Sequence, residues 1–227
     1  MPVQALIPDL MSGGMLSDEV LGCMELRQDP LFHKIPAEKI PYYVHESLQA
    51  GRLAAAAYTS HDIRAMCREA GLRYEITEAS GKFHNVAFRA QIDFSKTPPE
   101  IILYASSLKG MQTVCQEILG ERSNGTDTDF DLLVDIHLAH EFYHWLEYRE
   151  QAFTNERLAS IESFKLGPWT RRSSVVQCSE IAAHAFCKEL LALPCLPNLL
   201  DYAYLIEEKQ LSAEDFMRQI STCKLWI

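Results

Sequence analysis

Asp131-Leu-Leu-Val-Asp-Ile-His-Leu-Ala-His-Glu-Phe-Tyr-His-Trp-Leu-Glu-Tyr148 is the stretch whose reading decides the fold. Leu132, Leu133, Ile136, Ala139, Tyr143 and Leu146 recur at steps of three and four, which is the period of an amphipathic helix. No Gly or Pro interrupts residues 130 to 151. The turn cluster Asn124-Gly125-Thr126-Asp127-Thr128-Asp129 precedes it and supplies cap residues, with Asp127, Asp129 and Asp131 where a helix dipole favours anions. Within this helix, His140-Glu141-Phe142-Tyr143-His144 reads H-E-x-x-H. With His137 as zero, His140 falls at about 300°, His144 at about 340° and Glu141 at about 40°. All four side chains therefore share one arc.

Two imidazoles one turn apart can grip a single zinc ion. The carboxylate beside the first can reach a water at the metal without binding the metal itself. His140 and His144 are thus expected metal ligands, with Glu141 as catalytic base. Catalytic zinc takes a third protein ligand and keeps one position open. One known arrangement places that ligand six residues after the second His, beyond a turn-making Gly. Here those positions hold Glu147 and Glu150, so the arrangement fails. A separate later helix is the alternative. Val175, Val176, Ile181, Ala182, Ala185, Phe186, Leu190 and Leu193 recur at helical steps over 174–193, and Pro194 and Pro197 close the segment. Glu180 lies in it with Ala183, His184 and Cys187 on one face, small residues that permit close approach to the first helix. Glu180 is the expected third ligand and His184 the rival one turn on, since three His would serve zinc equally well.

The two segments 135–144 and 180–194 together resemble the ImmA/IrrE family of metallopeptidases, whose second motif reads approximately E-x-E-A-N-x-F-A-x-x-L-L-M-P. The helix ending Arg68-Glu-Ala-Gly71, the strand Tyr74-Glu-Ile-Thr77 and the run Pro98-Pro-Glu-Ile-Ile-Leu-Tyr104 also fit, so the resemblance spans about residues 60 to 195. Ala182 stands where the family often has a second Glu, His184 stands for Asn, and one extra residue precedes the Pro. The resemblance implies a gluzincin-like, zinc-dependent endopeptidase that cuts one or a few protein partners, often a DNA-binding repressor. It implies an α+β, mostly helical, zincin-like fold with about three strands packed against the metal helix. A strand over 100–105 is expected at the sheet edge beside the metal, where it could pair with substrate backbone; an ordinary core strand reads equally well from Ile101-Ile102-Leu103.

Zinc would make a nucleophile available near neutral pH, and Glu141 would carry the proton to the leaving amine. The oxyanion needs a further stabiliser. His184, His137, Tyr143, Tyr148, Tyr104, Arg171 and Arg172 are available, and the sequence does not choose among them. His137 is expected to support the ligands from behind or to face the cleft. A metal-binding regulatory or interaction protein without catalysis is the alternative class.

At 227 residues the chain can bury a sizeable core. A helical N-terminal part over 1–59 followed by a metallopeptidase unit over 60–227, together one compact body, is the expected organisation. Ser17, Pro41 and Ser60 open helices, Gly51 and Gly71 close two of them, and His61-Asp62 reads as capping. Strands are expected near 73–78, 86–94 and 100–105, with a hairpin at Ser80-Gly81. Residues 150–173, including Leu166-Gly-Pro-Trp-Thr-Arg-Arg172, read as a loop at the cleft rim. Helices follow near 197–209 and from Ser212, the latter with the S-x-x-D capping pattern through Asp215. Asp127-x-Asp-x-Asp131 lacks the Gly and Glu of a calcium loop. The net charge of −10 argues against direct nucleic-acid binding. The seven Cys show no C-x-x-C spacing, no apolar run spans a bilayer, and the N-terminus is not a secretory signal, so a cytoplasmic protein with reduced thiols is expected. The expected partner is a protein substrate; the oligomeric state is open.

Overall fold

A computed structural model describes residues 3–58, 62–79, 81–83, 86–120 and 129–227. In chain order the elements are α1 (Val3–Ser12), α2 (Asp18–Leu26), α3 (Ile40–Ala56), α4 (Ile63–Glu69), β1 (Arg73–Thr77), β2 (Lys82–Phe83), β3 (Val86–Ala87), β4 (Ala90–Asp93) and β5 (Glu100–Tyr104). They continue with α5 (Ala105–Lys109), α6 (Gln112–Leu119), α7 (Asp129–Glu150), α8 (Thr154–Arg157), β6 (Ile161–Leu166), β7 (Trp169–Ser173), α9 (Gln177–Leu190), α10 (Asn198–Glu207) and α11 (Ala213–Lys224). The class is α+β and mostly helical, with a three-stranded sheet, as the sequence led us to expect.

The long helix α7 runs as its periodicity predicts. Asp129 and Asp131 occupy its first turn. It ends where Gln151 adopts φ 50° and the amide of Ala152 reaches back to the Glu147 carbonyl at 3.1 Å. The second helix is shorter than its apolar pattern: α9 spans 177–190, and residues 191–193 form its closing turn, with Ala192 at φ 50° ahead of Pro194. Its first amide, from Gln177, is accepted by Asp29 Oδ2 at 3.1 Å, a cap supplied from far away in the chain.

Helix α9 lies between α3 and α7. On one side Gly51 brings α3 into backbone contact: a Cβ there would sit 2.0 Å from the Ala182 carbonyl oxygen. Gly51 was expected to end its helix; instead α3 runs on to Ala56 and uses the glycine as a crossing point. On the other side the Cys187 thiol donates to the Ile136 carbonyl at 3.4 Å, pinning α9 to α7. One apolar core joins Leu21 of α2, Leu48 of α3, Leu103 of β5, Leu133 of α7, Phe186 of α9 and Phe216 of α11. The N-terminal helices are part of this core.

The sheet has the order β1-β5-β4, with β1 parallel and β4 antiparallel to β5. The strand at 100–104 is therefore central, and the edge strand against α7 is β4. This corrects the expectation of an edge at 100–105: Ile101 and Leu103 are fully buried, as a strand paired on both sides must be. The expected strand at 86–94 is two short ones, β3 and β4, and β1 pairs with β5 rather than across a hairpin at Gly81. Residues 161–173 are likewise a strand pair, β6–β7, turning at Gly167 with φ 59°, and not a loop. Gly71 closes α4 and Asp62 caps it, its Oδ1 accepting from the Ala65 amide at 2.9 Å. At α11 the Ser212–Asp215 capping pair forms. Ser60, His61, Ser80 and the cluster at 124–128 lie outside the described residues.

Candidate metal centre

His140, His144 and Glu180 bring one ligand atom each into a group whose members all lie within 4.8 Å of one another. Nε2 of His140 and Nε2 of His144 stand 3.1 Å apart. Glu180 Oε2 lies 3.1 Å from the first, and Oε1 lies 3.5 Å from the second. Two imidazole nitrogens on one tetrahedral zinc would stand about 3.3 Å apart, given Zn–N bonds of about 2.0–2.1 Å. The donor set of two imidazoles and one carboxylate, converging from one side, fits such an ion. The three side chains are half-buried, so a further position can remain open. Among the described residues this is the one group of its kind. His184 does not join it.

The ligands are held from behind. His144 Nδ1 lies 3.2 Å from Glu147 Oε2, which leaves Nε2 for the metal. Glu147 is 5% exposed and accepts two further hydrogen bonds, from the Thr154 amide at 2.7 Å and the Ser179 hydroxyl at 2.9 Å. Burial by itself would lower the pKa of His144, but the carboxylates at both ring nitrogens outweigh it and push it up to about 10. Burial would likewise raise Glu180; His140 and His144 more than reverse this and hold its carboxyl far below the usual range. Two imidazoles and a carboxylate so placed could hold a metal ion.

Glu141 sits beside the group, and burial raises its carboxyl pKa above the ordinary value while His140 and His144 pull the other way. The backbone of Ile92 in β4 lies near enough to pull it down as well. The edge strand, the base and the ligands thus form one wall. That wall borders a cavity of about 370 Å³, open to solvent, shared by α2, β4, α7, α9 and α10.

The other sequence candidates separate clearly. His137 lines the cavity; its Nδ1 donates to the Leu133 carbonyl at 2.7 Å, and burial pushes its pKa down to about 4, so it is a neutral ring. His184 also lines the cavity, its ring centroid 4.9 Å from that of His140, and burial holds it neutral too. Tyr143 points away: its hydroxyl meets Thr154 Oγ1 at 2.7 Å and faces a different cavity, which removes it from the oxyanion candidates. Tyr148 stacks on Phe94 at 4.2 Å, one turn beyond His144, and does not line the cavity. Arg172 is engaged by Ser160, and Arg171 is exposed on β7; neither borders the cavity.

Sequence reasoning missed Glu147, Glu25, Arg89, Asn198 and Asp201. Glu25 is 8% exposed and Asn198 2%, and both line the cavity with Arg89 and Asp201. Arg89 Nη2 pairs with Asp201 Oδ1 at 2.6 Å. A signal existed for two of them: Glu25 and Glu147 are carboxylates set among apolar helical neighbours, where an unpaired charge is costly. No family model, curated protein or solved structure matches this chain.

Proposed function

We propose that this chain is a zinc-dependent metallopeptidase, similar to the ImmA/IrrE type, that hydrolyses peptide bonds in a specific protein substrate. One observation carries the reading: the H-E-x-x-H helix and Glu180 converge on a single point at the wall of an open cavity, with Glu141 beside that point. His140, His144 and Glu180 would hold the ion. Zinc, when bound, supplies a Lewis acid that makes hydrolysis accessible near neutral pH.

The chain's own residues do the rest. Glu141 takes a proton at its carboxylate and delivers it to the leaving nitrogen, and its burial brings its pKa closer to the working pH, where such exchange is most efficient. Glu147 fixes the ring of His144. The free edge of β4 offers backbone groups on which an extended substrate can dock beside Glu141. The N-terminal part helps to build the cavity, through Glu25 and Gln28, and leaves it open.

The test is Glu141→Gln, compared with the unchanged protein for zinc content and for cleavage of candidate protein partners. Zinc is retained in both, and cleavage falls by about 10³-fold or more in the variant. Undiminished cleavage would remove Glu141 as the base.

A further inference from the structure

Glu25 is a buried carboxylate facing the cavity, with no Lys or Arg among its described partners. Its described partners are neutral: Asn198 Nδ2 donates at 3.2 Å, and Gln28 Nε2 lies at 3.5 Å. His184 Nε2 stands 3.9 Å away, beyond hydrogen-bond reach. The nearby guanidinium of Arg89 is taken by Asp201. A second observation is independent of this charge. Asn198 Oδ1 is buried with no hydrogen-bond partner, although its Nδ2 is engaged by Glu25 and by the Leu21 carbonyl. Those two acceptors fix the amide orientation, so the orphan atom is the oxygen. A carboxylate with no Lys or Arg against it and a carbonyl oxygen with no donor thus belong to neighbouring residues of one cavity wall. Ile136, Met111, Leu200 and Leu205 supply apolar walls.

We propose that this cavity is a specificity pocket for a lysine or arginine side chain of the substrate, with Glu25 as counter-ion and Asn198 Oδ1 as a second acceptor. The apolar walls suit the methylene stem, and the charged head reaches the two acceptors at the α2–α10 end. The volume of about 370 Å³ admits either side chain. Strand addition decides which residue enters. The cavity touches Arg89 and Ala90, at the start of β4. A substrate strand antiparallel to β4 runs its C-terminal side past that end, which places the residue just after the scissile bond in the pocket. The raised pKa of the Glu25 carboxyl, about 7 and caused chiefly by burial, agrees with a group awaiting a cation.

The assignment to a substrate side chain rests on the peptidase reading; the preference for a cation does not, and two measurements separate them. Titration calorimetry at pH 8 compares n-butylguanidinium with its neutral isostere n-butylurea. The guanidinium binds at least about tenfold more tightly to the unchanged protein, and Glu25→Gln, which keeps an acceptor for Asn198, abolishes the difference. Asn198→Ala weakens guanidinium binding while leaving the carboxylate in place. Equal binding of the two probes, or selectivity that survives Glu25→Gln, overturns the proposal. Peptides varied at the position after the cut are then cleaved about tenfold faster, in kcat/KM, with Lys or Arg than with Gln or Met, and Glu25→Gln removes that preference. A preference for Asp or Glu there overturns the pocket's polarity. Selective guanidinium binding with no cleavage of any peptide would overturn the peptidase reading and leave the cation pocket standing.

Discussion

Glu147 orients the ring of His144 within the candidate metal group. It engages Nδ1 of the ring, and Thr154 and Ser179 hold it in turn. Removing such a support costs about 10–100-fold in metal affinity. We therefore expect Glu147→Ala to weaken zinc binding by that factor in a chelator competition, and unchanged affinity would show that ring orientation is set elsewhere. Glu25 carries a pH signature. Its folded pKa of about 7 lies above the unfolded value near 4.5, so the folded state binds the proton more tightly between those values. Stability then falls as pH rises through that window and stays lower above it. At about 1.4 kcal/mol per unit, Glu25→Gln should gain about 3 kcal/mol at pH 8 and almost nothing at pH 4.5, measured by urea unfolding. An equal gain at both pH values would contradict the burial of its charge. At this scale the spacing of His140, Glu141 and His144 was legible, because one helix sets it. Glu25 and Asn198 were not, because 173 residues separate them and only the folded chain joins them.

Among the elements, the helices were legible and the sheet was not. Helices announce themselves locally, through caps such as Ser212 and Asp62 and through apolar period. Strand order depends on pairing between distant segments, so the central place of β5 and the edge place of β4 could not be read from residues 90–104. The β6–β7 pair was hidden for another reason. Phe164, Leu166 and Trp169 are exposed, so its strands carry no alternation between a core face and a solvent face. The packing of α3 on α9 has its own consequence. With the Ala182 oxygen 2.0 Å from any added Cβ, Gly51→Ala must push two helices apart. We expect a loss of about 3 kcal/mol and a lower Tm by calorimetry, with weaker zinc binding because α9 carries Glu180. A neutral result would mean that the helices are not in backbone contact.

For the whole molecule, the candidate metal site forms only when distant parts of the chain meet. Its donors come from α7 and α9, and α9 is capped by Asp29, crossed by Gly51 and pinned by Cys187. One apolar core runs from α1 to α11. No described helix is long and apolar enough to cross a membrane. All seven cysteines are buried and none forms a disulfide, so none supplies a covalent brace for the site. The account therefore stands or falls on one number, the zinc content per chain of the purified, folded protein, measured by elemental mass spectrometry alongside Glu180→Ala. The account predicts one zinc per chain in the unchanged protein and a loss of most of it in the variant. A chain that takes up no zinc, or a Glu180→Ala variant that keeps its full complement, would contradict it.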